Sequence, residues 1–308
     1  VSEAASSRFV SGFVTILGRP NAGKSTLLNA LVGMKLAIVA PKPQTTRTSI
    51  QGVLNLPGAQ VVFLDTPGIH KPDSLFNRRM QETVKAALDH RDLLLFVADA
   101  TRRAGEEDRR AVEIVKAART PAILLLNKID ALKDKRPLLS LIENYRSWHG
   151  FDEYLPVSAL TGEGLDELRA ALLRHLPEGP AYFPPDYVTD QPERFLAAEL
   201  VREKILHATR EEVPHSVAVV VNRWQEEGRL TRIAATIYVE RESQKGILIG
   251  AKGAMLKRIG TEARQEMELL LGRKIFLELF VKARPKWRED PEFLNAVDWR
   301  SMTGTEVN

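Results

Sequence analysis

The chain has 308 residues, 44 % of them apolar, no cysteine and a formal net charge of +4 at pH 7. Disulfide frameworks, thiolate metal sites and cysteine nucleophiles are excluded, and a reducing compartment fits. The length favours two domains, because one core rarely grows so large. No apolar stretch approaches the eighteen or so residues of a membrane span, and VSEAASSRFV, the first ten residues, lacks the charged start and apolar centre of a signal peptide.

The apolar run FVTILG predicts a buried strand that turns, at GRPNAGKST, into a helix from Lys24 to Val32. Gly18, Gly23, Lys24 and Ser25 match G-x-x-x-x-G-K-[ST], with a strand before and a helix after. Glycines there allow positive φ and close approach of an oxyanion. We take Gly18, Arg19, Pro20, Asn21, Ala22, Gly23, Lys24, Ser25 and Thr26 as a phosphate loop. Its N–H groups from Asn21 through Thr26 form a concave nest at a helix N-terminus, where the dipole also favours negative charge. Lys24 would neutralise the β- and γ-phosphates, and Ser25 would ligate Mg2+.

PKPQTTRT, residues 41–48, is polar and proline-flanked, and predicts a mobile loop of the kind ordered by a γ-phosphate and Mg2+. SIQGVLNLPGAQVVFLD follows, two strand-like runs around Pro57-Gly58, and predicts a hairpin with one antiparallel edge strand. It ends in Asp65-Thr66-Pro67-Gly68. Asp65 can hold magnesium through water, and the Gly68 N–H can bond a γ-phosphate. The next residue, Ile69, cannot orient a water as a glutamine does, so intrinsic hydrolysis should be slow or another group must position the water.

Helical segments Leu75 to Leu88, Glu106 to Ala118, Asp134 to Trp148 and Gly164 to His175 then alternate with the strands LLLFVADA, AILLLN and EYLPVSA. Continuously apolar strands suit a sheet covered on both faces. Right-handed crossovers then give an α/β fold with a doubly wound, mostly parallel sheet. Asn127-Lys128-Ile129-Asp130 closes the strand AILLL. The Asp130 carboxylate can accept two hydrogen bonds from N1 and N2 of guanine, and adenine offers no such pair. Ser158-Ala159-Leu160, after the next strand, would set a backbone N–H against guanine O6. Each fragment ends a predicted strand, where ligands bind in such sheets. GTP and GDP are the expected ligands.

Residues 177–192, PEGPAYFPPDYVTDQP, hold five prolines. They predict a stiff connector between a nucleotide domain (1–176) and a second domain (193–308). The second domain reads as a helix from Glu193 to Glu211, the strands SVAVVVNRW and RIAATIYVER, a helix pair around Gly250 to Leu271, and the strand KIFLELFVKAR, a small α+β unit. Ile249-Gly250-Ala251-Lys252-Gly253 carries GxxG between two helices. In an α-β-β-α-α-β order this marks a KH module of the prokaryotic type, whose loop clamps a single-stranded backbone. From Lys245 to Arg288 eleven Lys/Arg oppose four Glu, which points to a polyanion partner. Lys257 lies in that stretch. Lys282, Arg284, Lys286 and Arg288 surround Trp287, a mixture that suits stacking and phosphate attraction in a basic tail. The bland alternative is that Trp287 caps the core with its charged neighbours in water.

The segments NAGKST, PQTTR, DTPGIHKP, NKID, SA, VERESQKG, LIGAKG and VKARPKW, in this order from Phe13 to about Trp287, resemble the Era family of GTPases. Ser243 stands where relatives often have glycine. The resemblance implies a cytoplasmic GTPase of small ribosomal subunit assembly. It would be a monomer, loosely associated with the inner face of the cell membrane, and its KH domain would bind the single-stranded 3′ end of small-subunit rRNA. It also implies Thr46 as the second magnesium hydroxyl, with Thr45 beside it left open. Asn21 would ligate a potassium ion that supplies the charge of an arginine finger. The expected catalytic set is then Asn21, Lys24, Thr46 and Gly68, and the metal set is Ser25, Thr46 and Asp65. Two other readings stand beside this one. One is an RNA-binding assembly scaffold whose nucleotide is structural, to which Ile69 lends weight. The other is a tRNA-modifying GTPase, which would need further catalytic parts such as cysteines, and the sequence has none.

Overall fold

The structure is a computed structural model that describes residues 8–42, 44–68, 74–89 and 91–298. It divides into two compact units, one from Val1–Leu36, Thr46–His70 and Met80–Asp190, the other from Ala37–Thr45, Lys71–Arg79 and Gln191–Asn308. In chain order the elements up to residue 176 are β1 (Val10–Leu17), α1 (Lys24–Val32), β2 (Ile50–Leu56), β3 (Ala59–Asp65), α2 (Leu75–Ala86), β4 (Leu93–Asp99), α3 (Glu106–Ala118), β5 (Ala122–Asn127), α4 (Pro137–Trp148), β6 (Glu153–Pro156) and α5 (Leu165–His175). The sheet order is β2-β3-β1-β4-β5-β6. Only β2 runs antiparallel, joined to β3 through Gly58 at φ 75°. The doubly wound sheet and the hairpin agree with the sequence reading.

β4 and β5 are apolar on both faces because helices cover both. Leu93 through Ala98 and Ile123 through Leu126 are fully buried. On one face Leu94, Phe96 and Ala98 pack with Ala111, Val112 and Val115 of α3 and with Leu138, Leu141 and Tyr145 of α4. The proline-rich segment is laid along this sheet and does not hang free. Gln60, 1 % exposed, takes the N–H groups of Tyr182 and Phe183 on Oε1 and donates Nε2 to Phe183 O at 2.9 Å. Val53 N donates to Val188 O at 2.8 Å, and Thr189 Oγ1 to Gln51 O at 2.7 Å. The backbone of edge strand β2 is thereby paired on its outer side, which removes a site of edge-to-edge aggregation.

The second unit carries α6 (Glu193–Ala208), β7 (Ala218–Glu227), β8 (Leu230–Val239), α7 (Glu242–Ile249), α8 (Ala254–Leu271), β9 (Lys274–Ala283) and α9 (Pro291–Val297). Its sheet is β7-β8-β9, with β8 and β9 parallel. This is the expected α-β-β-α-α-β order. Ile233, Ala235, Ile237 and Val239 alternate inward onto Val201, Ile205, Leu248, Ile259, Ala263 and Met267, the core of the unit. Residues 38–40, 44 and 45 lie on α6. Glu203 Oε1 accepts from Val39 N at 2.8 Å, and Leu206 packs with Ile38 and Ala40. Arg202, 1 % exposed, donates to the carbonyls of Gln44 and Thr45 and to the Glu199 carboxylate.

Candidate nucleotide site and nucleic-acid groove

The phosphate loop leaves β1 at Gly18 and enters α1 at Lys24. Gly18 has φ 147° and Gly23 φ 97°. A Cβ would stand 2.3 Å from Val97 O at Gly18 and 2.2 Å from Asn127 Nδ2 at Gly23, so no other residue fits either position. Gly68 meets Pro20 in the same way, 2.8 Å from a Cβ position to Pro20 Cγ. Arg19 contributes main chain only, because its guanidinium pairs with buried Asp108 at 3.0 Å. Asn21, at φ 61°, is exposed. Lys24 is 6 % exposed and donates Nζ to Gly18 O and Arg19 O, both at 3.1 Å. Burial, only partly offset by Asp65, brings its pKa down to about 8.

One turn further along, Ser25 Oγ lies 2.7 Å from Asp65 Oδ2 and 2.7 Å from Thr46 Oγ1, and Thr46 Oγ1 lies 3.4 Å from the same Asp65 oxygen. Asp65 is fully buried, and its Oδ1 has no hydrogen-bond partner among the described residues. Burial pushes its pKa up to about 6, against the pull of Lys24, Ser25 and Thr46. A buried carboxylate oxygen left unmatched beside two hydroxyls fits a hard, oxygen-seeking cation such as Mg2+. Thr45, the alternative, turns its hydroxyl to Lys42 O at 2.6 Å. Thr66 spends its own on Ile16 O at 2.8 Å, which anchors the turn before Pro67 and Gly68. Ile69 lies outside the described residues.

The base-recognition loops are tied to the phosphate loop by Asn127. Its Nδ2 donates to Ala22 O at 2.8 Å and its Oδ1 accepts from Ala159 N at 2.9 Å. The carbonyl oxygen and one amide proton thus hold two loops together, and the second Nδ2 proton is left for a ligand. Lys128, at φ 70°, donates Nζ to Asn21 O and to Asp99 Oδ2, both at 2.6 Å. Asp130 is exposed, and Ser158 Oγ donates to its Oδ1 at 2.6 Å, which fixes the direction of the carboxylate. The expectation for residues 158–160 narrows here. Ser158 N donates to Glu163 O and Ala159 N to Asn127, whereas Leu160 N has no acceptor among the described residues. Asp99 and Asp108 escaped the sequence reading. Asp99 pairs in register with Asn127 at the carboxyl end of β4, the position that singled out Asp65 and Asn127 on their own strands, so that signal was available. Asp108 carried none.

In the second unit α7 stops at Gly250, whose φ 71° and ψ 178° only glycine adopts readily. Ala251, Lys252 and Gly253 make one tight turn into α8, with Lys252 at φ 49° and exposed. Ile249 is half-buried below it and Lys257 is exposed one turn on. The loop opens onto a groove of about 380 Å3 between α8 and β9, walled by Leu256, Lys257, Gly260, Thr261 and Arg264 on the helix and by Leu277 and Leu279 on the strand. An apolar floor with cations at its rim suits splayed bases and a phosphate backbone. Sequence reasoning missed Thr261 and Arg264, although they follow Lys257 at helical spacing.

The tail departs from expectation. Trp287 is fully buried, its Nε1–H donates to Ser216 O at 2.9 Å, and its ring packs edge-on against Phe76 and Phe293. It caps the core and has no face to offer a base. Arg284 pairs with Asp290 at 2.5 Å and lies over the Phe293 ring, and Arg288 pairs with Glu240. Lys286 is exposed at φ 56°, and Lys282 stands on the face of β9 opposite the groove. The interleaved aromatic and basic platform around Trp287 is therefore not formed.

Comparison with known proteins finds both domains. Residues 13–128 match the family described as 50S ribosome-binding GTPase, and residues 212–288 match the KH domain. GTPase Era of Geobacter metallireducens is 50 % identical over 293 residues, covering 94 % of this chain and 98 % of that protein. GTPase Era of Syntrophus aciditrophicus is 52 % identical over 288 residues, covering 93 % and 94 %. Two solved structures are 44 % identical and cover 94 % of this chain and 99 % of their own. One is a point variant of Aquifex aeolicus Era bound to GDP and aluminium fluoride, at a TM-score of 0.91. The other is Era in complex with MgGDPNP and nucleotides 1506–1542 of 16S ribosomal RNA, at 0.92. Two unrelated domains matched in one order along nearly the whole chain leave a single conclusion, that the chain belongs to the Era family of GTPases.

Proposed function

We propose that this chain is a GTP-driven switch of small ribosomal subunit assembly. Residues 1–176 would hold Mg·GTP, and the KH groove would hold the single-stranded 3′ end of small-subunit rRNA. The observation that carries the reading is the convergence of Ser25, Thr46 and Asp65 on one point beside Lys24, with a buried Asp65 oxygen unmatched. Ser25 and Thr46 would hold Mg2+ directly and Asp65 through water. When bound, the ion neutralises developing charge on the β- and γ-phosphates. Lys24 exchanges the carbonyls of Gly18 and Arg19 for phosphate oxygens, and the N–H groups from Asn21 to Thr26 cradle the chain of phosphates. Gly68 offers its N–H to the γ-phosphate. Asp130 accepts from N1 and N2 of guanine, and Leu160 N donates to O6.

The exposed Asn21 side chain supports a potassium ion at the same phosphates. Turnover should be faster in KCl than in NaCl at equal ionic strength, and equal rates remove that ion from the scheme. The RNA assignment rests on the GxxG groove and on the likeness to the Era complex with 16S ribosomal RNA. Peripheral membrane association, cytoplasmic location and a monomeric state follow the family resemblance. No helix among the described residues is long and apolar enough to cross a membrane. Gating is tested by RNA affinity measured with GDP and with a nonhydrolysable GTP analogue, which should differ. Identical affinities refute it. A folded Lys24→Ala protein that still completes subunit assembly would favour the scaffold reading instead.

A further inference from the structure

Strand β9 is the edge of its sheet and carries two different surfaces. Leu277 and Leu279 face the groove, while Phe276, Glu278, Phe280 and Lys282 alternate onto the opposite, outer face. Phe276 is 45 % exposed and Phe280 52 % exposed, so two large rings stand in water on one face. Register places Arg232 of β8 beside Phe276, with its guanidinium carbon 5.1 Å from the ring centroid. Arg223 of β7 lies across from Ala234, which pairs with Glu278, and Lys282 closes the row at the other end. Two carboxylates share the face. Glu227 pairs with Arg232 at 2.9 Å, and Glu278 stands between the rings. Three cations outnumber them.

We propose that this outer face is a second platform for single-stranded RNA, which receives the strand as it leaves the KH groove over the edge of β9. The inference rests on the reading that the groove holds RNA. Charge and continuity select the occupant. Rings interleaved with arginine and lysine suit stacked bases and phosphates better than an apolar protein surface, and the face adjoins the groove across a single edge strand. Phe276 and Phe280 lie four residues apart, about 13 Å along the strand, so each ring takes a separate base. Stacking tolerates any base, so the platform adds affinity and length of grip, and sequence choice stays in the groove.

The test uses the full chain and fluorescein-labelled oligoribonucleotides copying the 3′ end of small-subunit rRNA, one about five nucleotides long and one about twelve. The shorter fills the groove, since a KH loop clamps about four nucleotides. Phe276→Ala/Phe280→Ala should leave the short oligonucleotide's Kd unchanged and weaken the longer one's by about tenfold or more, at the stacking strength found for aromatic side chains. An unchanged thermal midpoint confirms the fold, as expected for exposed rings. Lys252→Glu should weaken both lengths. Equal loss at both lengths in the double variant, or loss at neither, overturns the platform. A wild-type protein that binds neither length overturns the RNA reading itself. A concentration-dependent dimer abolished by Phe280→Ala would assign the face to a second copy and also overturn the proposal.

Discussion

Asp65 makes the metal step titratable in a range where most carboxylates are silent. In the nucleotide-free protein its pKa is raised to about 6 by burial, and its unpartnered oxygen is where a hydrated cation would sit. Mg2+ needs the ionised carboxylate, so binding must expel a proton below that pH. The apparent affinity for Mg·GDP should hold from pH 7.5 to about 6.5 and then fall about tenfold per pH unit, some 1.4 kcal/mol each. Isothermal titration of wild type against Asp65→Asn isolates the effect, because the nucleotide's own phosphates titrate identically in both. Linkage gives a second readout with a defined sign. The folded pKa lies above the unfolded 3.8, so between roughly pH 4 and 6 the native state binds the extra proton. Asp65 therefore costs the nucleotide-free fold stability above pH 6, about 3 kcal/mol from this carboxyl alone, and that cost disappears as pH falls towards 4. A wild-type affinity that tracks Asp65→Asn at every pH would refute the argument.

Other outcomes follow from single contacts. Asp130→Asn should weaken GTP by about a hundredfold or more, since an amide cannot accept from both guanine donors. It should bind xanthosine triphosphate better, whose C2 carbonyl the amide NH2 can meet, and competition titration reads both. Asn127→Ala should loosen GTP and GDP by the same factor, about tenfold or more, because it releases Ala22 O and Ala159 N and touches no γ-phosphate. Trp287→Ala should cost about 3–5 kcal/mol in chemical denaturation, and Trp287→Phe about 2, from the lost Ser216 hydrogen bond and the smaller ring's cavity. Weaker RNA binding at unchanged stability would return Trp287 to the nucleic-acid site.

Much of the nucleotide site was legible because each part is local. A glycine that must take positive φ, a lysine one step into a helix and an aspartate ending a strand all announce themselves within a few residues. The KH order was legible for the same reason, since apolar alternation and one GxxG sufficed. What failed depends on distance in sequence. Asp108 meets Arg19 across eighty-nine residues, and Gln60 meets Phe183 across one hundred and twenty-three. No local pattern says that a strand glutamine will anchor a proline-rich segment. Trp287 failed differently. Its neighbours are cationic and mostly exposed, but the short turn at Lys286 directs the indole inward, and composition carries no direction.

Thr45 and Thr46 show the same limit where it bears most on function. The two hydroxyls turn to different partners and do not meet at one point. Thr46 goes to Ser25 and Asp65, and Thr45 to Ala40 O and Lys42 O. The Thr45 carbonyl, in the planar peptide that leads into Thr46, is held by buried Arg202, which also holds Gln44 O. Arg202 thus grips the peptide group that leads into Thr46. Truncating Arg202 removes charge-assisted hydrogen bonds of about 1.5–3 kcal/mol each. Arg202→Ala should raise the Mg2+ concentration for half-maximal GTP hydrolysis about tenfold. GDP affinity at saturating Mg2+ should change little, because the phosphate loop and the Asp130 loop make no use of Arg202. Equal loss in both measurements would mean that Arg202 serves only the fold. No loss in either would mean that the segment before Thr46 holds its place without the guanidinium.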